Sequence, residues 1–420
     1  MKTAYLNANF ASGKGGLLVE GGQVIAIGTA LTREAVAGAE IVECHGKLIL
    51  PGLIDMRVFT GEPGSEYRET LATASEAAAA GGVTTMIVMP NTDPVIDDAA
   101  MVDFILRRAR DTAKVRVAPM AAITKGLKGE AMTEIGLMKA AGAVAITDGV
   151  KSVTNTALFR RALVYAHDHD MLVVQHVEEP GLASGVMNAG EMASRLGLAG
   201  SHAMAEVMML ERDLRLVEMT GARYHAAQIS CAESVAVMHR AKQKGLPVSC
   251  GASINHLVLN ENDVGAYRTF FKISPPLRKE EDRRALVEGL REGVIDVIVS
   301  GHNPQSDDTK RLPFAEAAYG AVGLDTFLAA CLSLYHNHNI SLSRLSEVCC
   351  ETPARLLGVP QGVLKPGSPA DFCLVDPHLS WKVEPKSLCS RSKNSPFEHR
   401  TLEGRVLQTM VGGSVVYSAG

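Results

Sequence analysis

Two His-x-His pairs, His167 with His169 and His336 with His338, carry the spacing most often used to hold a metal. Neither pair is well placed for it. His167 and His169 close a helical pattern, where residues two apart do not share a face. His336 and His338 fall in a helix-to-loop stretch that should face solvent. His225, His256 and His302 offer a relocated metal site on one reading, and core or loop histidines with local hydrogen bonds on the better one. Asp148, in Thr147-Asp148-Gly149, and His176, which opens His-Val-Glu-Glu-Pro, each follow an apolar run. The eight cysteines include no Cys-x-x-Cys, and the adjacent Cys349 and Cys350 neither bridge nor catalyse on the usual reading. Their apolar settings predict buried free thiols in a reducing cytoplasm. Asp307-Asp308 with Lys310-Arg311 reads as a solvated loop.

The elements that must position these residues have a regular rhythm. Short β-branched runs predict strands over Leu53–Phe59, Val83–Met89, Val115–Ile123, Ala143–Thr147, Met171–His176, Arg223–Ile229, Pro247–Gly251 and Asp296–Ser300. Continuous apolar strands of this kind are buried on both faces, as in a parallel sheet. Between them, helical patterns run over Tyr67–Ala80, Met101–Thr112, Ala131–Ala141, Thr156–His169 and Ser234–Lys244. Eight strands with intervening helices predict an α/β fold, a (β/α)8 barrel, over 51–361. The stretch 252–281 reads as a long insertion before the last strand. Residues 1–50 and 362–420 alternate short strands with glycine turns and predict one small composite, sandwich-like β domain flanking the barrel.

With 46% apolar and 21% charged residues and a formal net charge of −4, the chain is an ordinary globular protein with no basic block. Nucleic acid and anionic membranes are therefore not expected partners. No apolar run reaches the roughly 18 residues that span a bilayer, and the N-terminus lacks the apolar stretch of a signal peptide.

Ordered landmarks run through the chain. They are Pro-Gly-Leu-Ile-Asp-Met from 51, Glu62-Pro63-Gly64, and Gly-Gly-Val-Thr-Thr-Met-Ile-Val-Met-Pro-Asn91-Thr-Asp-Pro. Val-Met-Asn-Ala-Gly at 186–190, Tyr224-His225-Ala-Ala-Gln228-Ile-Ser230 and Asn255-His256-Leu follow. Phe271-Lys272-Ile-Ser274-Pro-Pro-Leu-Arg, Ile295-Asp-Val-Ile-Val-Ser-Gly301-His302-Asn-Pro and Gly404-Arg405-Val complete the series. Together they resemble the class I dihydroorotases of the amidohydrolase superfamily, which implies a barrel of the amidohydrolase type.

The resemblance implies a zinc-dependent cyclic amide hydrolase, with metal donors on several strand ends. Six family positions carry that chemistry. Two, histidines after the first strand in the family, are Arg57 and Phe59 here. The carboxylate and histidine after strands four and five are kept as Asp148 and His176. The histidine after strand six is Gln228, and the aspartate after strand eight, the family's proton shuttle, is Gly301. Of the substrate-binding positions Asn91 is retained, while the family arginine is Gly61 and the family asparagine is Ser274. An arginine fork is not replaced by glycine.

The reading that follows is a dihydroorotase relative of pyrimidine biosynthesis that has lost catalysis, holds no cofactor, and serves as a structural partner of aspartate transcarbamoylase, itself a homo-oligomer. Arg57, protonated at neutral pH, is expected to pair with Asp148 in place of the metal. The rival is an active dihydroorotase or related cyclic amidohydrolase with zinc in a rebuilt site.

Overall fold

Each of the eight apolar runs becomes a parallel strand. The computed structural model describes residues 2–419. The strands are β1 (Leu53–Val58), β2 (Val83–Val88), β3 (Arg116–Ala121), β4 (Ala145–Ile146), β5 (Leu172–Gln175), β6 (Tyr224–Ala226), β7 (Val248–Ser253) and β8 (Val297–Val299). They lie side by side in sequence order. The circle closes where Phe59 N–H donates to His302 O at 3.0 Å. Buried Asp55 helps: one carboxylate oxygen accepts the N–H of Arg57 at 3.1 Å and of Ser300 at 3.3 Å. Strand ends of β1 and β8 are thus held together at the rim.

Helices cover the strands where the sequence pattern is amphipathic. Leu71–Ala80 starts at a Thr70 capping box, with Thr70 accepting from Thr73 N–H. Several helices escape the pattern, among them three of ten residues or more. Met204–Thr220 buries Glu206 and Asp213 on its inner face, so charge interrupts its apolar stripe. Phe327–His336 is buried almost all round between barrel and end sheet and has no polar face to reveal it. Glu280–Arg291 lies in and beyond the expected insertion, with only Leu286, Gly289 and Leu290 buried. The rest of that insertion holds a short helix, Ile254–Val258, and two 3-10 turns, Glu261–Val264 and Thr269–Phe271.

Both chain ends enter one eight-stranded sheet. Its central joint is the antiparallel pairing of Leu48–Pro51 with Phe372–Lys382, with Ile49 opposite Leu374. Phe372 meets Tyr5 edge to face, with ring centroids 5.0 Å apart. The C-terminal segment does not stay in this sheet. Residues 383–400 return to the barrel, where Asn394 O accepts from Val322 N–H at 3.2 Å and Arg400 pairs with Asp263 at 2.7 Å.

The loop read as solvated is only partly so. Asp307, Asp308 and Arg311 are exposed, but Lys310 is buried, its ammonium donating to Thr269 O at 2.9 Å and Ala318 O at 2.6 Å. With Lys272 O at 3.4 Å, the three carbonyls around it explain why a lysine turns inward there. All eight cysteines are free and seven are buried. Among the described residues, no helix is long and apolar enough to cross a membrane.

Candidate functional site

A cavity of about 510 Å³ opens at the C-terminal ends of the barrel strands. Arg57, Phe59 and Gly61 enter it from the end of β1, and Asn91 from beyond β2. Gln228, Ser274 and Gly301 line the opposite wall. The fold therefore brings seven of the nine positions singled out in the sequence to one mouth.

Asp148 and His176 lie beside the mouth and do not line it. One Asp148 oxygen accepts the backbone N–H groups of Ile123 and Thr124, each at 2.9 Å, and the other accepts the Thr124 hydroxyl at 2.5 Å. Burial pushes this carboxyl's pKa up, and those hydrogen bonds only partly oppose it. The expected Arg57–Asp148 pair is not formed. The end of β3 already takes both carboxylate oxygens, and the guanidinium donates instead to Gly149 O at 3.3 Å. His176 Nε2 stands 3.0 Å from Glu178 Oε2, and its Nδ1 has no partner. Burial would raise Glu178, but His176, Arg278 and Arg57 outweigh it and hold its carboxyl below the ordinary range.

Arg57 is only 4% exposed. Besides the bond to Gly149, its guanidinium lies over the Phe59 ring, whose centroid is 5.3 Å away. That is cation–π distance. Burial pulls its pKa down to about 10, against the charges of Asp55 and Glu178, so it is protonated at neutral pH. Among the described residues it has no ion-pair partner.

Two replaced positions have backbone that disfavours a side chain. Gly301 has φ +69°, and a Cβ there would stand 2.7 Å from Ser253 Oγ. Gly61 has φ +72°, and its Cβ would stand 2.7 Å from Ser65 O. Left-handed backbone at a non-glycine residue is itself strained.

Sequence spacing gave no hint of two further wall residues, Arg68 and Ser201. Asn255 sat in a recognised motif with no role attached. Three residues of the wall each carry a polar atom that is buried out of the cavity's reach and has no partner: Asn91 Oδ1, Asn255 Oδ1 and Ser201 Oγ. The charged side chains of the wall are Arg57, Arg68 and Glu178.

The other histidines are not gathered. His225 Nδ1 meets Ser249 Oγ at 2.8 Å, and His256 Nε2 meets Pro275 O at 3.0 Å. His302 Nδ1 accepts from Gly323 N–H at 3.3 Å. Among the described residues, one group of three offers donor atoms close enough for a metal: His336, His378 and Glu403, all outside the mouth. His336 therefore departs from the expectation of a solvent-facing residue. Its side chain is 16% exposed because the helix end packs against the strands that carry His378 and Glu403.

Residues 46–234 match the family model described as dihydro-orotase-like. The chain is 42% identical over 402 residues to a dihydroorotase of Desulforapulum autotrophicum, covering 96% of this chain and 94% of that one. It is 40% identical to a dihydroorotase of Syntrophus aciditrophicus, with the same coverage. Among solved structures, the L-hydantoinase (dihydropyrimidinase) of Arthrobacter aurescens superposes with a TM-score of 0.91 at 27% identity, covering 100% of this chain and 96% of that one.

Proposed function

Because the chain belongs to the dihydroorotase family, we propose that it works in pyrimidine biosynthesis as a non-catalytic member and structural partner of aspartate transcarbamoylase. The observation that carries this reading is Arg57. A buried guanidinium occupies the mouth from a position where the family resemblance calls for a neutral imidazole donor. Zinc, when bound, would polarise a carbonyl and lower the pKa of water. The donors here do not fit it. Asp148 is spent on Ile123 and Thr124, His176 has Nε2 on Glu178 and only Nδ1 left, and Gln228 offers an amide. Gly301 supplies no carboxylate for proton transfer, and Gly61 no arginine for the substrate. A scaffold role survives such losses, because cores and interfaces depend on other residues.

The rival reading, an active cyclic-amide hydrolase, is favoured by 42% identity to a protein named dihydroorotase and by the His176–Glu178 pair beside the cavity. One experiment separates them. Metal content and dihydroorotate hydrolysis are measured with zinc added, on the wild type and on His378→Ala. That variant removes a donor from the surface cluster, so zinc bound there is not mistaken for zinc at the mouth. The expected outcome is no turnover and no metal that survives His378→Ala. Zinc-dependent turnover would overturn the reading. Size-exclusion chromatography with light scattering, on the protein alone and mixed with aspartate transcarbamoylase, tests the homo-oligomer and the partner; a monomer mass alone, or separate elution of the two proteins at micromolar concentrations, would remove the corresponding part.

A further inference from the structure

We propose that His336, His378 and Glu403 form a site for a divalent transition metal of the zinc class, away from the barrel mouth, which ties the helix Phe327–His336 to the end sheet. The assignment does not depend on what the mouth holds. The three residues come from separate elements: His336 ends that helix, His378 lies on Phe372–Lys382 and Glu403 on Thr401–Val411. Their donor atoms all lie within 4.8 Å of one another. His378 Nδ1 stands 3.2 Å from Glu403 Oε1, and His336 Nε2 stands 3.9 Å from the same oxygen. Zinc bonds of about 2.0–2.2 Å put two tetrahedral nitrogen or oxygen ligands about 3.3 Å apart. One edge of the triangle thus has the spacing of a metal site, and the second needs to shorten by about 0.6 Å. Two features set the cluster apart from a chance meeting of side chains. Among the described residues His336 Nε2 has no hydrogen-bond partner although it is buried, and at 3.9 Å Glu403 is too far to be one. Buried polar atoms nearly always have a partner. The His378 and Glu403 side chains beside it are exposed and can turn to admit an ion between the three. The second feature is the aim of His378. Asp376 pairs with Arg405 and Ser380 with Glu403, so Pro377, His378 and Leu379 oppose Gly404 alone. A bulge re-aims a side chain, here His378 onto Glu403. Asp376 fixes the bulge by accepting the His378 N–H at 3.1 Å, while its other oxygen takes Lys47. A cross-strand hydrogen bond explains His378 and Glu403 but leaves His336 unexplained. Two imidazoles and a carboxylate suit zinc and its neighbours in the first transition row, with water completing the shell.

Calorimetry, elemental analysis and thermal shift on untagged protein, stripped with EDTA and desalted, test this. The probes are zinc and, as a hard cation, magnesium. Zinc should bind at micromolar concentrations and raise Tm, and magnesium should do neither. His378→Ala and Glu403→Gln alter exposed side chains, so their metal-free Tm should match wild type, which excludes misfolding as a cause. Each should take up about one zinc fewer per chain than wild type, or bind it at least about a hundredfold more weakly, since even the outer partners of a metal ligand are worth about 10–100-fold. Cobalt in place of zinc should give a visible band that His378→Ala loses, without the charge-transfer band of a thiolate ligand. The proposal is overturned if zinc uptake is the same in wild type and His378→Ala, if magnesium binds as well as zinc, or if the cobalt spectrum shows a thiolate, which would move the metal to a cysteine.

Discussion

Two arginines of this barrel are equally buried, each 4% exposed, and they live in opposite surroundings. Arg278 donates to Ser230 Oγ, Asn188 Oδ1 and Ser201 O, each at 3.0 Å. Its partners are themselves held by acids. Asn188 donates to Glu261 at 2.7 Å, and Ser230 N–H donates to Glu206 at 2.8 Å. Arg57 has one carbonyl and one aromatic face. The first is a finished network and the second an open one. Burial alone says little about what a charge is for; the two arginines differ in how many of their donors are satisfied. Ser201 joins the two regions, since its carbonyl serves Arg278 while the residue itself lines the cavity.

The largest effect should come from breaking the finished network. Arg278→Met leaves Ser230 Oγ, Asn188 Oδ1 and Ser201 O without their donor and removes the cation that Ser230 and Asn188 link to Glu206 and Glu261; removing one member of a buried ionic network typically costs about 3–5 kcal/mol. Urea unfolding should show the loss as a lower midpoint. A midpoint within error of wild type would mean that the network contributes little and that the contrast with Arg57 is cosmetic.

Restoring a carboxylate at the mouth should cost less but should not restore chemistry. Gly301→Asp forces a side chain onto left-handed backbone and against Ser253 Oγ. Strain and overpacking together predict a loss of about 2 kcal/mol. Dihydroorotate turnover with zinc should stay at background. A gain of turnover would show that the mouth needs only its proton shuttle.

A third test uses the histidine that feels Arg57. Burial, then Lys242 and Arg57, push His225 from 6.5 down to about 3. In the unfolded chain it takes a proton as pH falls below 6.5, while in the folded protein it stays neutral, so its contribution to stability is lost between 6.5 and about 3. Asp55 works the other way: burial raises it from 3.8 to about 6, so its contribution is lost as pH rises through that interval. The difference between variants isolates the histidine. His225→Gln should flatten the fall in stability between about pH 7.5 and about pH 5 by up to about 2 kcal/mol. An unchanged slope would show that His225 titrates normally in the folded protein.

How much of this could be seen beforehand depends on the residue. All eight barrel strands announced themselves, because a strand buried on both faces is a continuous apolar run. Met204–Thr220 and Phe327–His336 did not, one because charge is buried in it and the other because polarity is absent. At the mouth, Arg57, Phe59, Gln228 and Gly301 were found by position in a motif. What Asp148 does was not, since its attachment to Ile123 and Thr124 joins residues about 25 apart through a strand end. Ser201 likewise becomes a wall residue only through folding.

The smallest effect is the one that discriminates best. If Arg57 is an open site, replacing it with a neutral side chain of similar length removes a desolvation cost that the protein alone does not recover. Arg57→Met should leave the unfolding free energy unchanged or raise it by about 1 kcal/mol. It also forfeits the Phe59 contact, worth about 0.5–1 kcal/mol, which is why the gain is small. A loss of 3 kcal/mol or so, like that expected for Arg278, would mean that Arg57 is already satisfied by the fold. The two arginines would then be alike, and the contrast drawn from their hydrogen-bond partners would fail.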